Sequence, residues 1–258
     1  MSTPNPYAAP KAPVAEMAPA QGNFVPGGRT VAPGRGWTWI TEGWELFKRQ
    51  PVMWIAVVVL LAVILIVLAL IPVLGSLALI VLAPVFAGGI MIACREVDQG
   101  REVQIVHLFA GFRERFGTLV SVGLLYLAAS VVIALVVGVV TGAGMWTLLG
   151  GGADPVALGA AGLTVILAFL VMMALMLPVI MAIWFAAPLV TFHDQPAGEA
   201  MKHSFFACLK NIVPFLVYSA ILFVAAIVAS IPFFLGWLVL GPVMACSLYA
   251  SYRDIFFE

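Results

Sequence analysis

Four stretches of this chain lack charged residues and are long enough to cross a lipid bilayer. They are residues 50–94, 116–153, 155–192 and 211–252. A spanning helix needs about 20 apolar residues, so the first and last stretches have room for two helices each. With 64% hydrophobic and only 9% charged residues, the chain has too little polar surface to be soluble. The sequence therefore predicts an all-α, polytopic membrane protein with six transmembrane helices.

The six helices are predicted as hairpins with turns or kinks at proline. The helices are expected at residues 52–71, 75–94, 118–140, 163–187, 212–231 and 236–251. The prolines at turns or kinks are Pro72, Pro84, Pro178, Pro188, Pro232 and Pro242. An outer loop at 140–162 is expected to separate the third and fourth helices. The last helix is short, so re-entrant hairpins at 52–94 and 212–251 are an alternative to full spans.

The basic residues predict the orientation. All 12 Lys and Arg residues fall in segments that six passes place on one side of the membrane. The opposite loops carry Asp154 as their one charge. Because cytoplasmic segments are enriched in Lys and Arg, both termini are predicted to be cytoplasmic. The formal net charge of zero gives no reason to expect nucleic acid as a partner.

Each predicted hairpin or helix pair follows an amphipathic segment. The three segments are Gly36–Gln50, Val103–Phe116 and Ala197–Asn211. At helical spacing, each segment has an apolar side and a charged side, as interfacial helices do. In the third segment the apolar stripe is predicted to contain Met201, Phe205, Cys208 and Leu209. The chain is therefore predicted to hold three units, at about 36–94, 103–187 and 197–252.

Two sets of side chains are assigned to the interface. Four tryptophans are predicted interfacial anchors: Trp37, Trp39, Trp44 and Trp54. Six basic residues are candidates for contact with anionic lipid headgroups: Lys48, Arg49, Arg113, Arg115, Lys202 and Lys210. Each basic residue near such a surface contributes about 1 kcal/mol. The alternative interpretation is that these cations serve only to fix the topology.

Residues 1–33 are predicted to be a disordered, Pro/Ala-rich cytoplasmic tail, followed by a membrane domain at 34–258. The tail contains seven of the 17 prolines and no apolar run. It cannot bury enough surface to offset the entropy of ordering, and it lacks the apolar core of a signal peptide. It either docks a proline-binding partner or has no partner.

Two groups of residues carry a family resemblance. The first is Ala83–Gly89 with Arg95, Gly100 and His107–Phe109; the second is Ala187–Val190 with Pro196, Glu199–Ser204 and Lys210–Asn211. Together they resemble an uncharacterised family of bacterial inner-membrane proteins, the YciC-like predicted membrane proteins. Over about residues 30–258, this resemblance implies a multi-pass, six-helix protein of the bacterial inner membrane. It implies no established activity and no catalytic residues.

The predicted spans contain no Asp, Glu, Lys, Arg or His. Ion-coupled transporters usually mark their path with such groups, and no phosphate-binding loop or nucleophile elbow is present. We therefore expect no enzymatic activity, no catalytic residues and no cofactor. His193, His203 and Cys208 match no metal-ligand spacing, so no metal site is predicted. The thiols of Cys94, Cys208 and Cys246 are expected to be reduced.

These observations favour a non-enzymatic protein that organises the membrane or binds lipids or partner proteins through its surface helices. Membrane lipids are the expected partners, and either a second copy of the chain or another membrane protein could be a protein partner. The alternative is a transporter or channel for an uncharged or amphipathic solute. That function would require a cavity near the midplane lined by Ser121, Tyr126, Tyr218 and Ser219.

Overall fold

The computed structural model describes residues 22–151 and 155–258. These residues form ten α-helices and one short 3₁₀ helix. The α-helices are α1 (Arg35–Arg49), α2 (Pro51–Ala69), α3 (Leu74–Asp98), α4 (Ala110–Glu114), α5 (Phe116–Gly151), α6 (Pro155–Trp184), α7 (Ala186–His193), α8 (Ala197–Lys210), α9 (Ile212–Ser230) and α10 (Trp237–Phe256). The 3₁₀ helix, Ile105–Phe109, directly precedes α4. The predicted all-α class is therefore observed in the described residues.

Five helical stretches among the described residues are long and apolar enough to cross a membrane. They are Pro51–Ala69, Leu74–Asp98, Phe116–Gly142, Leu158–His193 and Ile212–Ser230. The sixth predicted span corresponds to α10, whose 20 residues are long enough at roughly 30 Å. Its mean hydropathy is lower because it contains serines and tyrosines and has Arg253 and Asp254 in its last turn. Six spans and a threefold arrangement thus stay predictions.

The helix α10 is central to the fold and packs against α1, α2, α3 and α9. Helices α1 and α10 approach each other closely. A Cβ atom on Gly43 would lie 2.6 Å from the backbone nitrogen of Ser247 and 2.8 Å from the carbonyl oxygen of Val243. Since those atoms belong to the backbone, this crossing requires glycine at position 43. The helix α1 is therefore packed into the fold along one side, in addition to being amphipathic.

The outer loop predicted at 140–162 is wrong. Helix α5 continues to Gly151 and α6 begins at Pro155, where a first-turn proline loses no hydrogen bond. The described residues expected to form this loop extend the two helices, because α5 and α6 pack together along their length and so stabilise each other. The predicted outer charge, Asp154, lies outside the described residues.

The predicted disordered tail, residues 1–33, needs a correction at its C-terminal part. Residues 22–33 lie against the end of α10, with the backbone nitrogen of Val25 donating to the carbonyl of Phe256 at 2.8 Å. Phe24 and Phe257 form an isolated antiparallel bridge. These partners lie more than 200 residues away in the chain, so local composition could not predict them. Residues 1–21 of the predicted tail lie outside the described residues.

The six prolines occupy three kinds of position. Pro72 and Pro232 lie in the turns that join α2 to α3 and α9 to α10. Pro84, Pro178 and Pro242 lie inside continuous helices. Pro188 lies in α7, and the helix is interrupted at Phe185, three residues before it. This interruption fits a proline, which cannot donate the backbone hydrogen bond to the preceding turn.

Candidate functional site at the charged end of the bundle

The Asp254 carboxylate accepts three hydrogen bonds at the point where residues 22–33 (the N-terminal segment), α1 and α10 meet. The Arg35 guanidinium donates to it at 2.6 Å, the Trp39 indole nitrogen at 2.8 Å and the Arg29 guanidinium at 3.1 Å. The Asp254 side chain is only 8% exposed. The hydrogen bond from Arg35 to Asp254 raises the pKa of Arg35 above its ordinary value, because the carboxylate favours the charged guanidinium.

A second set of ionic contacts ties α10 to α3 and α1. Arg253 donates to both carboxylate oxygens of Asp98 at 2.6 Å and to Glu42 at 3.2 Å. The Tyr249 hydroxyl also donates to Asp98, at 3.2 Å. Together with Asp254, these groups join four segments of the chain. We call the surface formed by these groups, α4 and α8 the charged end.

Four of the six predicted headgroup-contact residues bind other parts of the chain. Lys48 pairs with Glu45 at 2.8 Å, and Arg49 donates to the carbonyl of Val97 at 2.8 Å. Arg115 pairs with Asp194. Lys210 donates to the carbonyls of Gly27 and Gly28, at 3.1 and 2.9 Å.

The other two predicted headgroup-contact residues are the most available cations of the set. Arg113 in α4 and Lys202 in α8 are both exposed. Neither makes a salt bridge or a side-chain hydrogen bond within the described part of the chain. They are therefore the cations of this set best placed to meet an anion from outside the chain.

The predicted apolar stripe of α8 is not its buried face. The face that packs inward consists of small residues, Ala197, Ala200, Ser204 and Ala207, with Cys208 beside them. Phe206 and Leu209 are 42% and 45% exposed. Small side chains allow α8 to approach α6 closely, and the large apolar ones are left facing outward. In a membrane protein the larger apolar side chains can face lipid, so exposed apolar residues are compatible with the predicted interfacial helix.

The four predicted tryptophan anchors divide into two pairs. Trp37 and Trp44 are 57% and 42% exposed and line a cavity of about 700 Å³ between α1, α9 and α10. Trp39 and Trp54 are buried, so their assignment as interfacial anchors is corrected. Trp39 is held by Asp254, and Trp54 belongs to the apolar core at the start of α2. Trp37 and Trp44 alone have the exposure expected of interfacial tryptophans.

The histidines and Cys208 each contact a different neighbour. His193 lies 2.6 Å from the Tyr252 hydroxyl, and its ring stacks on Phe24. His203 contacts Gln195 at 2.9 Å, and the Cys208 thiol donates to the carbonyl of Met181 at 3.6 Å. No group of three metal-ligating side chains occurs in residues 22–151 and 155–258.

Sequence reasoning missed the residues that organise this end. Asn211 is fully buried and bonds the N-terminal segment through Val31 and Arg29, at 2.9 and 2.8 Å. Asp254 is likewise a residue to which the sequence assigned no role. The position of Asn211 and Asp254 at the ends of membrane-length helices was the one signal in the sequence. A buried amide or carboxylate there needs hydrogen-bond partners, and these come from distant segments of the chain.

A bundle of apolar helices whose described charges gather at one end defines an integral membrane protein. The chain is similar to a probable inner membrane protein of Burkholderia thailandensis, with 29% identity over 252 residues, covering 88% of this chain and 92% of the relative. That name agrees with the resemblance to an uncharacterised inner-membrane family. No protein-family model and no solved structure matches the chain.

Proposed function

We propose that this chain is a non-enzymatic protein of the bacterial inner membrane that contacts anionic lipid headgroups through its charged end. The observation that carries the proposal is the exposure of Arg113 and Lys202, which have no acidic partner in the described residues. The proposal includes six passes with both termini in the cytoplasm, which would place these cations at the anionic leaflet surface. It includes no catalytic role and no nucleic-acid partner.

The experiment measures lipid preference at the protein surface. The protein is reconstituted in phosphatidylcholine, and the motionally restricted fraction of spin-labelled phosphatidylglycerol is compared with that of spin-labelled phosphatidylcholine. The double variant Arg113→Gln and Lys202→Gln should lose most of the preference for phosphatidylglycerol, since each cation contributes about 1 kcal/mol. Lys48→Gln is the control, because Lys48 pairs with Glu45. An unchanged preference in the double variant contradicts the proposal.

The transporter alternative required a shared cavity lined by four polar side chains, and two of these, Ser121 and Tyr218, are hydrogen-bonded elsewhere. Ser121 donates to the carbonyl of Gly117 within α5, and the hydroxyls of Tyr218 and Ser247 lie 2.7 Å apart. Ser219 lines a different cavity, beside α6. These contacts favour structural roles for the polar groups, so the lipid-contact function is the one that we propose.

A further inference from the structure

A membrane-level cavity opens between α6, α8 and α9. It has a volume of about 240 Å³ and an almost wholly apolar lining, with Leu177 and Trp184 on one wall and Phe215 and Ser219 on the other. Helix α9 is one of the stretches able to span a membrane, so this cavity lies at the level of lipid chains. Its shape therefore suits an apolar chain better than a polar solute.

The cavity wall carries a polar group that lacks a partner. The indole nitrogen of Trp184 is buried and has no hydrogen-bond acceptor among the described residues. A buried donor without an acceptor costs roughly 1–3 kcal/mol. Trp184 packs edge-on against Phe215, with ring centroids 5.9 Å apart, so the indole is held in the cavity wall. Because this nitrogen exposes almost no surface, Trp184 meets the cavity through the carbon atoms of its ring, which suits contact with an acyl chain.

A cation lies next to the mouth of the cavity. Ile212 lines both this cavity and a second one of about 340 Å³, which also contains Thr30 and Lys210. The Lys210 ammonium uses two of its three donors on the carbonyls of Gly27 and Gly28. No carboxylate pairs with Lys210 in the described residues. One donor and a full positive charge therefore remain for an anion.

The geometry points to a binding site for one anionic phospholipid at the junction of α8 and α9. Its phosphate contacts Lys210 in the cavity of about 340 Å³, called the outer cavity, and one acyl chain enters the cavity of about 240 Å³, called the inner cavity, where it packs against the rings of Trp184 and Phe215. The inference rests on the proposed lipid-contact function but uses other residues than Arg113 and Lys202. The proposed function is a general attraction to anionic lipids, whereas this inference names one site, with an apolar cavity for the chain and Lys210 for the phosphate.

The test uses a phosphatidylglycerol whose acyl chain carries a photoactivatable diazirine, reconstituted with the full chain. Cross-linked peptides should concentrate at residues 177–184 and 212–219. Ser219→Trp fills the inner cavity and should lower this cross-linking at least fivefold. Leu177→Trp fills it from the opposite wall and should do the same. Ile227→Trp is the matched control, because Ile227 is 52% exposed on the same helix away from the cavity.

The headgroup is tested with phosphatidylcholine carrying the same diazirine chain, which should cross-link several-fold less. Even labelling along α9, or unchanged labelling in both tryptophan variants, overturns the site. Equal labelling by the two lipids also overturns it, because the choline ammonium neutralises the phosphate of phosphatidylcholine and Lys210 would then give no selectivity for an anionic lipid. The double variant of Arg113 and Lys202 should keep the cavity labelling, so failure of this site and failure of the proposed function are distinguishable.

Discussion

Asp254 is the residue on which the charged end depends most, because it receives donors from three different segments. Its replacement by asparagine keeps the side-chain shape but removes the negative charge. The Arg35 and Arg29 guanidinium groups would then share a neutral acceptor in a largely buried position. Hydrogen bonds between charged groups contribute about 1.5–3 kcal/mol each, against 0.5–1.5 kcal/mol for neutral ones.

Asp254→Asn should therefore destabilise the protein by about 2 kcal/mol, which corresponds to roughly 4–8 °C in the unfolding temperature. The measurement is thermal unfolding in detergent. Glu199→Gln is the control, because Glu199 is exposed and makes no salt bridge in the described residues. Equal unfolding temperatures for the two variants would show that Asp254 does not hold this end together.

At the scale of single residues, exposure was predicted better for cations than for tryptophans. Arg113 and Lys202 are exposed as the sequence suggested, while Trp39 is fully buried. A charged side chain in a short polar segment stays at the surface, because burying it without a partner is costly. A tryptophan combines a large apolar ring with one donor, so either lipid or a buried carboxylate can satisfy it. Its place depends on distant residues such as Asp254.

Ser204 joins two elements, α8 and the break between α6 and α7. Its hydroxyl accepts from the backbone nitrogen of Phe185 at 2.9 Å and donates to the carbonyl of Met181 at 2.7 Å. The break lies three residues before Pro188, which cannot donate to the turn before it. One serine thereby satisfies two backbone groups at an interrupted membrane-length helix.

Ser204→Ala should destabilise the protein by about 1–3 kcal/mol, since the Phe185 amide would be buried without a partner. Hydrogen exchange measured on peptides covering residues 181–190 should become faster. Ser121→Ala is the matched control, because its hydroxyl bonds only the preceding turn of its own helix. If exchange near Phe185 is the same in both variants, the serine is not what holds the break.

At the scale of elements, the helices were predictable and their inner faces were not. Uncharged runs located α2, α3 and α9 to within a few residues, because apolar length is what a bilayer demands. For α8, the sequence favoured a stripe containing Phe205 and Leu209, but the buried face is the alanine and serine stripe. Water drives large apolar groups inward, whereas lipid does not. The pattern of small residues was therefore the better signal.

The whole molecule offers a labelling test of topology, because its three cysteines are buried. Burial raises the pKa of the Cys208 thiol to about 12, so little reactive thiolate forms near neutral pH. Cysteines introduced one at a time at Glu114, Glu199 and Gly151 should then dominate labelling by a membrane-impermeant maleimide. Glu114→Cys and Glu199→Cys should react from the cytoplasm, and Gly151→Cys only from outside.

The unsubstituted chain is the control for this experiment and should label slowly from either side. Reaction of Gly151→Cys and Glu199→Cys from the same side would contradict the six-pass topology. The sequence predicts this topology from the placement of basic residues, which is a property of the whole chain. It could not predict how α1 and residues 22–33 pack, because their partners lie at the other end of the chain.

The bridge between Phe24 and Phe257 has a consequence for biosynthesis. Residues 22–31 are synthesised more than 200 residues before their partners at 254–258. Until those partners are made, residues 22–31 cannot form these contacts. Their docking is therefore among the final steps of assembly, so a chain stalled before α10 would display them to the quality-control machinery.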